Sequence, residues 1–268
     1  MTTHGASLPG TTSPGQDRWT ATPNGLIVLD GATAIAPGVP PAEQYVDALL
    51  DALRTGLTST ADLRTVIADA VAIVSAKLDL APGDGPSSTV ALLRWADSGV
   101  DAAVLGDSTI VLGTRDGQQA RLCDDRLAAV AAAQRQAYRQ RLEQGNGYDD
   151  THRQLLVDIQ RIERQARNED HGYWIAEAVS DAGHHATVRR FAADELRWAV
   201  LATDGAQRAV DHLHVPWPDI AAKGDDDLLA LLRDLHRWEA EQDPDGRALP
   251  RAKRHDDKTV STWRPDRA

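Results

Sequence analysis

The sequence predicts an α+β fold in which two antiparallel sheets pack together and helices cover their outer faces. Short apolar segments separated by turn residues fill two blocks, about residues 88–123 and 173–202, as in strand meanders. Other segments repeat their apolar residues every three or four positions, which indicates amphipathic helices. Strand blocks that enclose helical segments favour one layered α+β domain.

The first elements are a short strand and two helices. The aliphatic run 26–29 lies between Asn24-Gly25 and Asp30-Gly31, which is typical of a buried strand bounded by turns. Pro40-Pro41 opens a helix that continues to Leu53. A second helix covers about 60–80, because its apolar residues share one face and a Pro- and Gly-rich loop follows.

The remaining elements follow from the same patterns. The first block predicts strands at 88–95, 100–105, 109–114 and 120–123. After it we expect helices at 124–144 and 151–168, strands at 173–178, 185–191 and 197–202, a helix at 226–240 and a strand at 259–263. Residues 1–15, rich in Thr, Ser, Pro and Gly, predict a disordered N-terminal tail, and residues 16–268 predict a single domain.

Charge and composition exclude several classes of partner. The chain has 29 Lys and Arg against 40 Asp and Glu, and a net charge of −11 argues against a nucleic-acid-binding protein. The single cysteine, Cys123, fits a reducing cytoplasm. We expect no secretory signal and no membrane span, since no apolar run approaches about 20 residues.

Aspartates stand where apolar strands end or begin. Asp30, Asp107 and Asp204 each follow a predicted strand, and Asp256 precedes the last one. For any single aspartate, ordinary turn chemistry is a sufficient explanation. Four such carboxylates would repel one another if they converged, unless hard divalent cations held them. The sequence permits this convergence, and it also permits four unrelated turns.

These aspartates belong to six short motifs. In chain order the motifs are Gln16-Asp17, Val-Leu-Asp-Gly at 28–31, Ser-Ser-Thr at 87–89, Leu-Gly-Asp-Ser at 105–108, Ala-Thr-Asp-Gly at 202–205 and Asp256-Asp257. Their order and spacing resemble those of the metal-dependent protein Ser/Thr phosphatases of type 2C. The resemblance runs from about residue 17 to residue 263 and indicates a divergent, bacterial-type member.

The resemblance implies a four-layer αββα sandwich with two Mn²⁺ or Mg²⁺ ions at one end. It assigns ligand roles to Asp30 (bridging both ions), the Gly31 carbonyl, Asp204 and Asp256 (one ion), Asp17 (through a water molecule) and Asp107 (a third, weaker ion). Asp30, Asp204 and Asp256 are thereby the implied catalytic residues. An all-oxygen donor set of this kind suits Mg²⁺ or Mn²⁺ better than zinc.

The sequence also departs from the family pattern, and one departure concerns the arginine that binds substrate phosphate. The family's arginine before its Glu-Asp pair is missing, since residues 11–15 read Thr-Thr-Ser-Pro-Gly. Arg18, just after the pair, is the candidate substitute for contact with substrate. Gln16 stands where the family has Glu, and no histidine follows Gly31. The implied metal ligands are all retained.

The implied activity is hydrolysis of phosphoserine and phosphothreonine on proteins by a metal-activated water, without a covalent phosphoenzyme. The implied partner is a phosphorylated protein, such as the target of a Ser/Thr kinase. Two alternatives stay open: a pseudophosphatase that binds or regulates, favoured by Gln16 and the missing arginine, and a small-molecule phosphomonoesterase. The sequence does not fix the oligomeric state, nor whether the helices at 124–168 form a flap, a partner surface or packing.

Overall fold

The computed structural model describes residues 1–11, 14–34 and 38–266. The ten strands are β1 (Thr2–Leu8), β2 (Arg18–Thr22), β3 (Gly25–Ala32), β4 (Ser87–Ala96), β5 (Gly99–Leu105), β6 (Thr109–Thr114), β7 (Gln119–Leu122), β8 (Thr187–Phe191), β9 (Leu196–Ala202) and β10 (Lys258–Arg264). The α-helices are α1 (Ala42–Gly56), α2 (Leu63–Leu78), α3 (Arg126–Ala129), α4 (Ala132–Glu143), α5 (Asp150–Ala166), α6 (Asp204–His212), α7 (Trp217–Ala221) and α8 (Asp225–Glu241).

The strands form two five-stranded antiparallel sheets. Sheet I has the order β1-β10-β9-β6-β7, and sheet II has the order β2-β3-β4-β5-β8. Consecutive strands mostly pair with each other, but the chain crosses between the sheets after β1, β5, β7 and β8. Residues of both sheets therefore meet in the loops at one end of the sandwich.

Three hydrophobic cores separate four layers. In β3, Val28 points into the core between the sheets, whereas the next residue, Leu29, packs against α1 and α2. The inter-sheet core also contains Trp95 and Trp263, whose rings stack with centroids 6.0 Å apart. A third core joins sheet I to α6, α7 and α8. The predicted αββα sandwich is confirmed.

Local sequence explains where the flanking helices begin. The helix α1 follows Pro41, and the side chain of Asp62 accepts the Thr65 amide at 3.0 Å as the N-cap of α2. Three aspartates stand in the first turn of α8, where they complement the helix dipole. Within the described ranges, no helix combines the length and apolar character that crossing a membrane requires.

The disordered tail expected over residues 1–15 is wrong for its first half. Residues 2–8 form β1, an edge strand that pairs along its whole length with β10. Ala6 is buried in the core beneath α8, and Gly5 donates its amide to Asp225 Oδ1 at 2.8 Å. Small polar residues suit a half-buried edge strand, which is why composition alone indicated disorder. Residues 12–13 lie outside the described part of the chain.

Two elements in the middle of the chain also differ from prediction. The strand expected at 173–178 is irregular backbone with isolated bridges at Tyr173 and Ala176. The helix expected at 124–144 is divided into α3 and α4, because Ala131 adopts a left-handed conformation with φ of 53°. The helices α4 and α5 then pack on each other around Tyr138 and Leu142 in a small core of their own.

Candidate metal centre

Sheet II brings Asp30 and Asp107 to the same end of the sandwich. Asp30 lies in β3 opposite Thr89 of β4. The next residue of β4, Val90, pairs with Leu105, the last residue of β5. Asp107 follows two residues later, so the strand register itself places the two aspartates close together.

Sheet I delivers Asp204 and Asp256 to the same place, and Asp17 connects the sheets. Asp204 follows β9 and Asp256 precedes β10, and the two strands are neighbours in the sheet. A backbone hydrogen bond joins the two strands at this end, where the Thr203 amide donates to the Thr259 carbonyl at 3.1 Å. The Thr203 hydroxyl donates to Asp17 Oδ2 at 2.8 Å, which fixes the residue before β2 against sheet I.

We call Asp17, Asp30, Asp107, Asp204 and Asp256 the carboxylate cluster. Burial raises the pKa of Asp17 to about 8, and the Asp257 charge adds to the rise, whereas the Thr203 hydrogen bond opposes it. Burial also raises the pKa of Asp30 well above its usual range, with the charges of Asp17 and Asp204 as further causes. The structure therefore brings together all five aspartates that the motifs singled out.

Two further members of the cluster have perturbed pKa values. Burial together with the Asp204 charge raises the pKa of Asp107 to about 7. The pKa of Asp256 is also raised by burial, although the Lys253 ammonium works against the rise. The aspartates raise one another's pKa values through like-charge repulsion, so the cluster favours a state in which protons or cations neutralise it.

The carboxylate cluster is suited to bind divalent cations because several of its oxygens lack a hydrogen-bond donor or a positively charged side chain as a partner. Asp17 Oδ1 is buried and has no hydrogen-bond partner. Among the residues that the structure describes, no lysine or arginine lies within ion-pair distance of Asp17, Asp30 or Asp107. Buried carboxylates are normally paired or bound to metal ions. Oxygen donors of this number suit hard ions such as Mg²⁺ and Mn²⁺.

Two glycines let the backbone approach the cluster closely. A Cβ atom on Gly31 would lie 2.7 Å from both the Gln16 carbonyl oxygen and the Val46 side chain. A Cβ atom on Gly205 would collide with the Asp257 carbonyl. Glycine at both positions is therefore required by packing, independently of any role for the Gly31 carbonyl as a ligand.

Comparison with protein families agrees with this geometry. The family model described as Protein phosphatase 2C matches residues 4–249. The chain belongs to this family. Among solved structures, the chain is similar to the PPM Ser-Thr phosphatase MsPP from Mycobacterium smegmatis, in complex with cacodylate. The TM-score is 0.55 and the identity 19%, over 98% of this chain and 97% of that one.

A second phosphatase structure shows the same fold. The Ser/Thr phosphatase Stp1 from Staphylococcus aureus aligns with a TM-score of 0.58 and 13% identity, over 98% of this chain and 94% of that one. In a comparison with curated protein sequences, none matches this chain. At such identities the likeness to solved structures concerns the fold of this phosphatase 2C family member.

The two residues of the closing Asp256-Asp257 pair have different roles, since Asp256 belongs to the carboxylate cluster and Asp257 binds backbone amides. Asp257 accepts the amides of Gly10, at 2.7 Å, and of Gln16. It therefore holds the segment before β2 in place. The Gln16 side chain, which replaces a carboxylate of the family pattern, donates to the Thr33 hydroxyl at 2.6 Å.

Arg18 does not present its guanidinium to the cluster in this structure. Its Nε donates to Asp47 Oδ1 of α1 at 2.6 Å, and its Nη1 donates to the carbonyl oxygens of Gly15 and Asp17 at 2.7 and 2.8 Å. The predicted contact with substrate therefore needs those hydrogen bonds to break. Arg18 instead braces the backbone that carries Asp17.

Sequence reasoning missed two cations beside the cluster. Lys253 Nζ donates to Asp256 Oδ1 at 2.7 Å, and Arg208 Nη1 lies 3.9 Å from Asp204 Oδ2. Desolvation acts to lower the pKa of Lys253, but the charges of Asp256 and Asp30 outweigh it and raise that pKa. The available signal was the rarity of lysine, since one of only four lies three residues before Asp256.

His255, the histidine nearest the motifs in sequence, is held away from the cluster. Its Nδ1 lies 3.0 Å from Glu239 Oε2 of α8, and the same oxygen accepts from the buried Lys258 ammonium at 2.8 Å. Lys258 also donates to the Asp256 carbonyl at 3.1 Å. This buried network anchors the segment that carries Asp256 to α8.

Proposed function

We propose that this phosphatase 2C family member hydrolyses phosphoserine and phosphothreonine on proteins in the cytoplasm, using two Mn²⁺ or Mg²⁺ ions held by the carboxylate cluster. The observation that carries the proposal is the convergence of five aspartates from both sheets, three of which have no lysine or arginine within ion-pair distance among the described residues. A fold that needed only stability would not retain such mutual repulsion.

Within this proposal, Asp30, Asp204, Asp256 and the Gly31 carbonyl would hold the ions, and Asp107 would contribute to a third, weaker site. The ions would supply Lewis acidity, lower the pKa of a water nucleophile and neutralise charge on the phosphoryl group. Asp17 is fixed by Thr203 through one oxygen, so its free Oδ1 points to a role in orienting the attacking water.

The test is turnover of p-nitrophenyl phosphate and of phosphoserine and phosphothreonine peptides. We expect Mn²⁺-dependent hydrolysis that EDTA abolishes and that Asp204→Asn reduces at least about 100-fold, since metal ligands and their supports are that sensitive. Arg237→Met on the exposed face of α8 is the matched control and should leave turnover unchanged. Absence of turnover by metal-loaded wild type would contradict the proposal.

A second candidate is a pseudophosphatase that binds phosphorylated partners without hydrolysing them. It is favoured by Lys253, whose ammonium group pairs with the implied metal ligand Asp256, and by the absence of the family's arginine from residues 11–15. It predicts that phosphopeptides bind but are not hydrolysed. A preference for small phosphorylated metabolites over peptides in the same assay would instead identify a small-molecule phosphomonoesterase.

A further inference from the structure

A small cavity opens beside the carboxylate cluster. It has a volume of about 80 Å³ and lies between α4, α6 and the segment 249–256. Asp204 and Asp256 form one wall, and Glu239 of α8 also lines the cavity. The other walls carry four cations, Arg135, Arg208, Arg251 and Lys253. A polar cavity of this size holds several waters or one tetrahedral oxyanion.

Two of the four cations are neutralised by carboxylates outside the cluster. Arg135 donates to Glu163 of α5 and to the Val130 carbonyl. Arg251 Nη1 donates to Asp243 Oδ2 at 2.6 Å, and that pair is almost fully buried. These two arginines therefore join structural elements, and their charge is compensated whatever the cluster binds.

The other two cations have only cluster carboxylates as anionic partners among the described residues. Lys253 pairs with Asp256 at 2.7 Å, and Arg208 lies 3.9 Å from Asp204 while donating Nη2 to the Pro250 carbonyl. Once divalent cations bind Asp204 and Asp256, those carboxylates no longer compensate the ammonium and the guanidinium. Both positive groups would then face the cavity.

We infer that Lys253 and Arg208 bind the phosphoryl oxygens of a phosphomonoester dianion and so replace the phosphate-binding arginine that the family carries before its Glu-Asp pair. The inference rests on the proposed function. Arginine and lysine are the side chains that bind phosphate through charge-assisted hydrogen bonds, and their place beside two implied metal ligands puts them at the reacting group. The Lys253 side chain is 61% exposed, so it has room to turn from Asp256 toward a bound phosphoryl group.

The experiment compares Lys253→Met, Arg208→Met, Lys253→Arg and a control, Lys77→Met, an exposed lysine on α2. Mn²⁺ affinity is measured first by calorimetry on each metal-free protein. Inorganic phosphate is then titrated into each Mn²⁺-loaded protein, and KM and kcat are measured with p-nitrophenyl phosphate. Circular dichroism melts confirm that each variant is folded.

We expect Lys253→Met and Arg208→Met to weaken phosphate binding and raise KM by about tenfold or more, the effect of losing a charged hydrogen bond. Mn²⁺ affinity should be unchanged or tighter, because a cation that competes for a ligand has been removed. Lys253→Arg should restore most of the phosphate affinity, and Lys77→Met should match wild type.

Unchanged phosphate affinity in both methionine variants would overturn the inference. This holds even if Lys253→Met binds Mn²⁺ more tightly, because the lysine would then only occupy the place of a metal ion. A parallel loss of Mn²⁺ affinity would also overturn it, since the effect would be structural. If wild type binds Mn²⁺ and phosphate but turns over no substrate, the proposed function fails, while the phosphate titrations still decide the role of Lys253.

Discussion

Asp101 and Asp107 stand at opposite ends of β5, and their surroundings are opposite too. Asp101 is buried between the guanidinium groups of Arg94 and Arg190, and its hydrogen bond from Arg190, together with the Arg94 charge, lowers its pKa despite burial. Asp107 has no cationic partner within ion-pair distance among the described residues, and burial raises its pKa to about 7.

The difference separates structural carboxylates from functional ones. A paired buried carboxylate such as Asp101 contributes to one native arrangement, and removing either partner leaves a charge without compensation. The carboxylate cluster has the reverse property, because its members repel one another in the fold itself. Repulsion that the fold tolerates without compensation is a mark of a ligand site.

The largest effect is expected for Asp30→Asn. Asp30 feels the charges of four other aspartates, so the neutral side chain should make the metal-free protein more stable. The same change should reduce Mn²⁺-dependent turnover at least about 100-fold, because the implied bridging ligand is lost. Thermal melts in EDTA and p-nitrophenyl phosphate assays measure the two effects. Lower stability in EDTA would contradict the account.

The same substitution at Asp101 should act in the opposite direction. Asp101→Asn leaves the buried Arg94 guanidinium without its anionic partner, which should cost about 3 kcal/mol of unfolding free energy. Turnover per folded molecule should stay at the wild-type value, since Asp101 lies at the far end of β5. Urea denaturation gives the free energy. A loss of turnover larger than the loss of folded protein would show that Asp101 contributes to the active site and is not only structural.

A smaller effect concerns the pH dependence of stability. In the folded, metal-free protein the pKa of Asp17 is raised to about 8 and that of Asp107 to about 7, against about 4 in the unfolded chain. Their stabilising contribution is present below pH of about 4 and is lost as pH rises to about 8.

The melting temperature of the protein in EDTA should therefore fall by at least about 3 °C as the pH rises from about 5.5 to about 8.5. Saturating Mn²⁺ should remove this decline, because ions bind the deprotonated carboxylates. Asp30→Asn serves as the comparison protein and should show a shallower decline in EDTA. If the melting temperature of the protein in EDTA rises over this pH range, the charge of the cluster does not destabilise the fold.

The smallest effect is expected for Arg18→Met. The guanidinium is paired with Asp47 at a partly exposed site, and such a pair contributes about 0–1 kcal/mol. Because Arg18 donates away from the cluster, KM for p-nitrophenyl phosphate should change less than about threefold. A tenfold rise in KM would return Arg18 to the role of substrate ligand that its position in the sequence suggested.

Periodicity and turn chemistry predicted most of the fold, because β3, β4 and β5 are apolar runs bounded by glycine and aspartate. The strand β1 was missed because pairing with β10, not its own composition, orders it. Motif order identified all five aspartates of the cluster. For Lys253 the rarity of lysine was the available signal, and Arg208 had none, because their pairing depends on which carboxylates the folded chain places beside them.

Calorimetric titration of Mn²⁺ into the metal-free protein at pH of about 8 tests the central claim most directly, because ions that bind the cluster displace the protons that its carboxylates still hold. We expect saturable binding of two ions per chain in wild type and in Asp101→Asn, and loss of that binding in Asp30→Asn. Absence of binding in wild type, or equal binding in wild type and Asp30→Asn, would contradict the central claim.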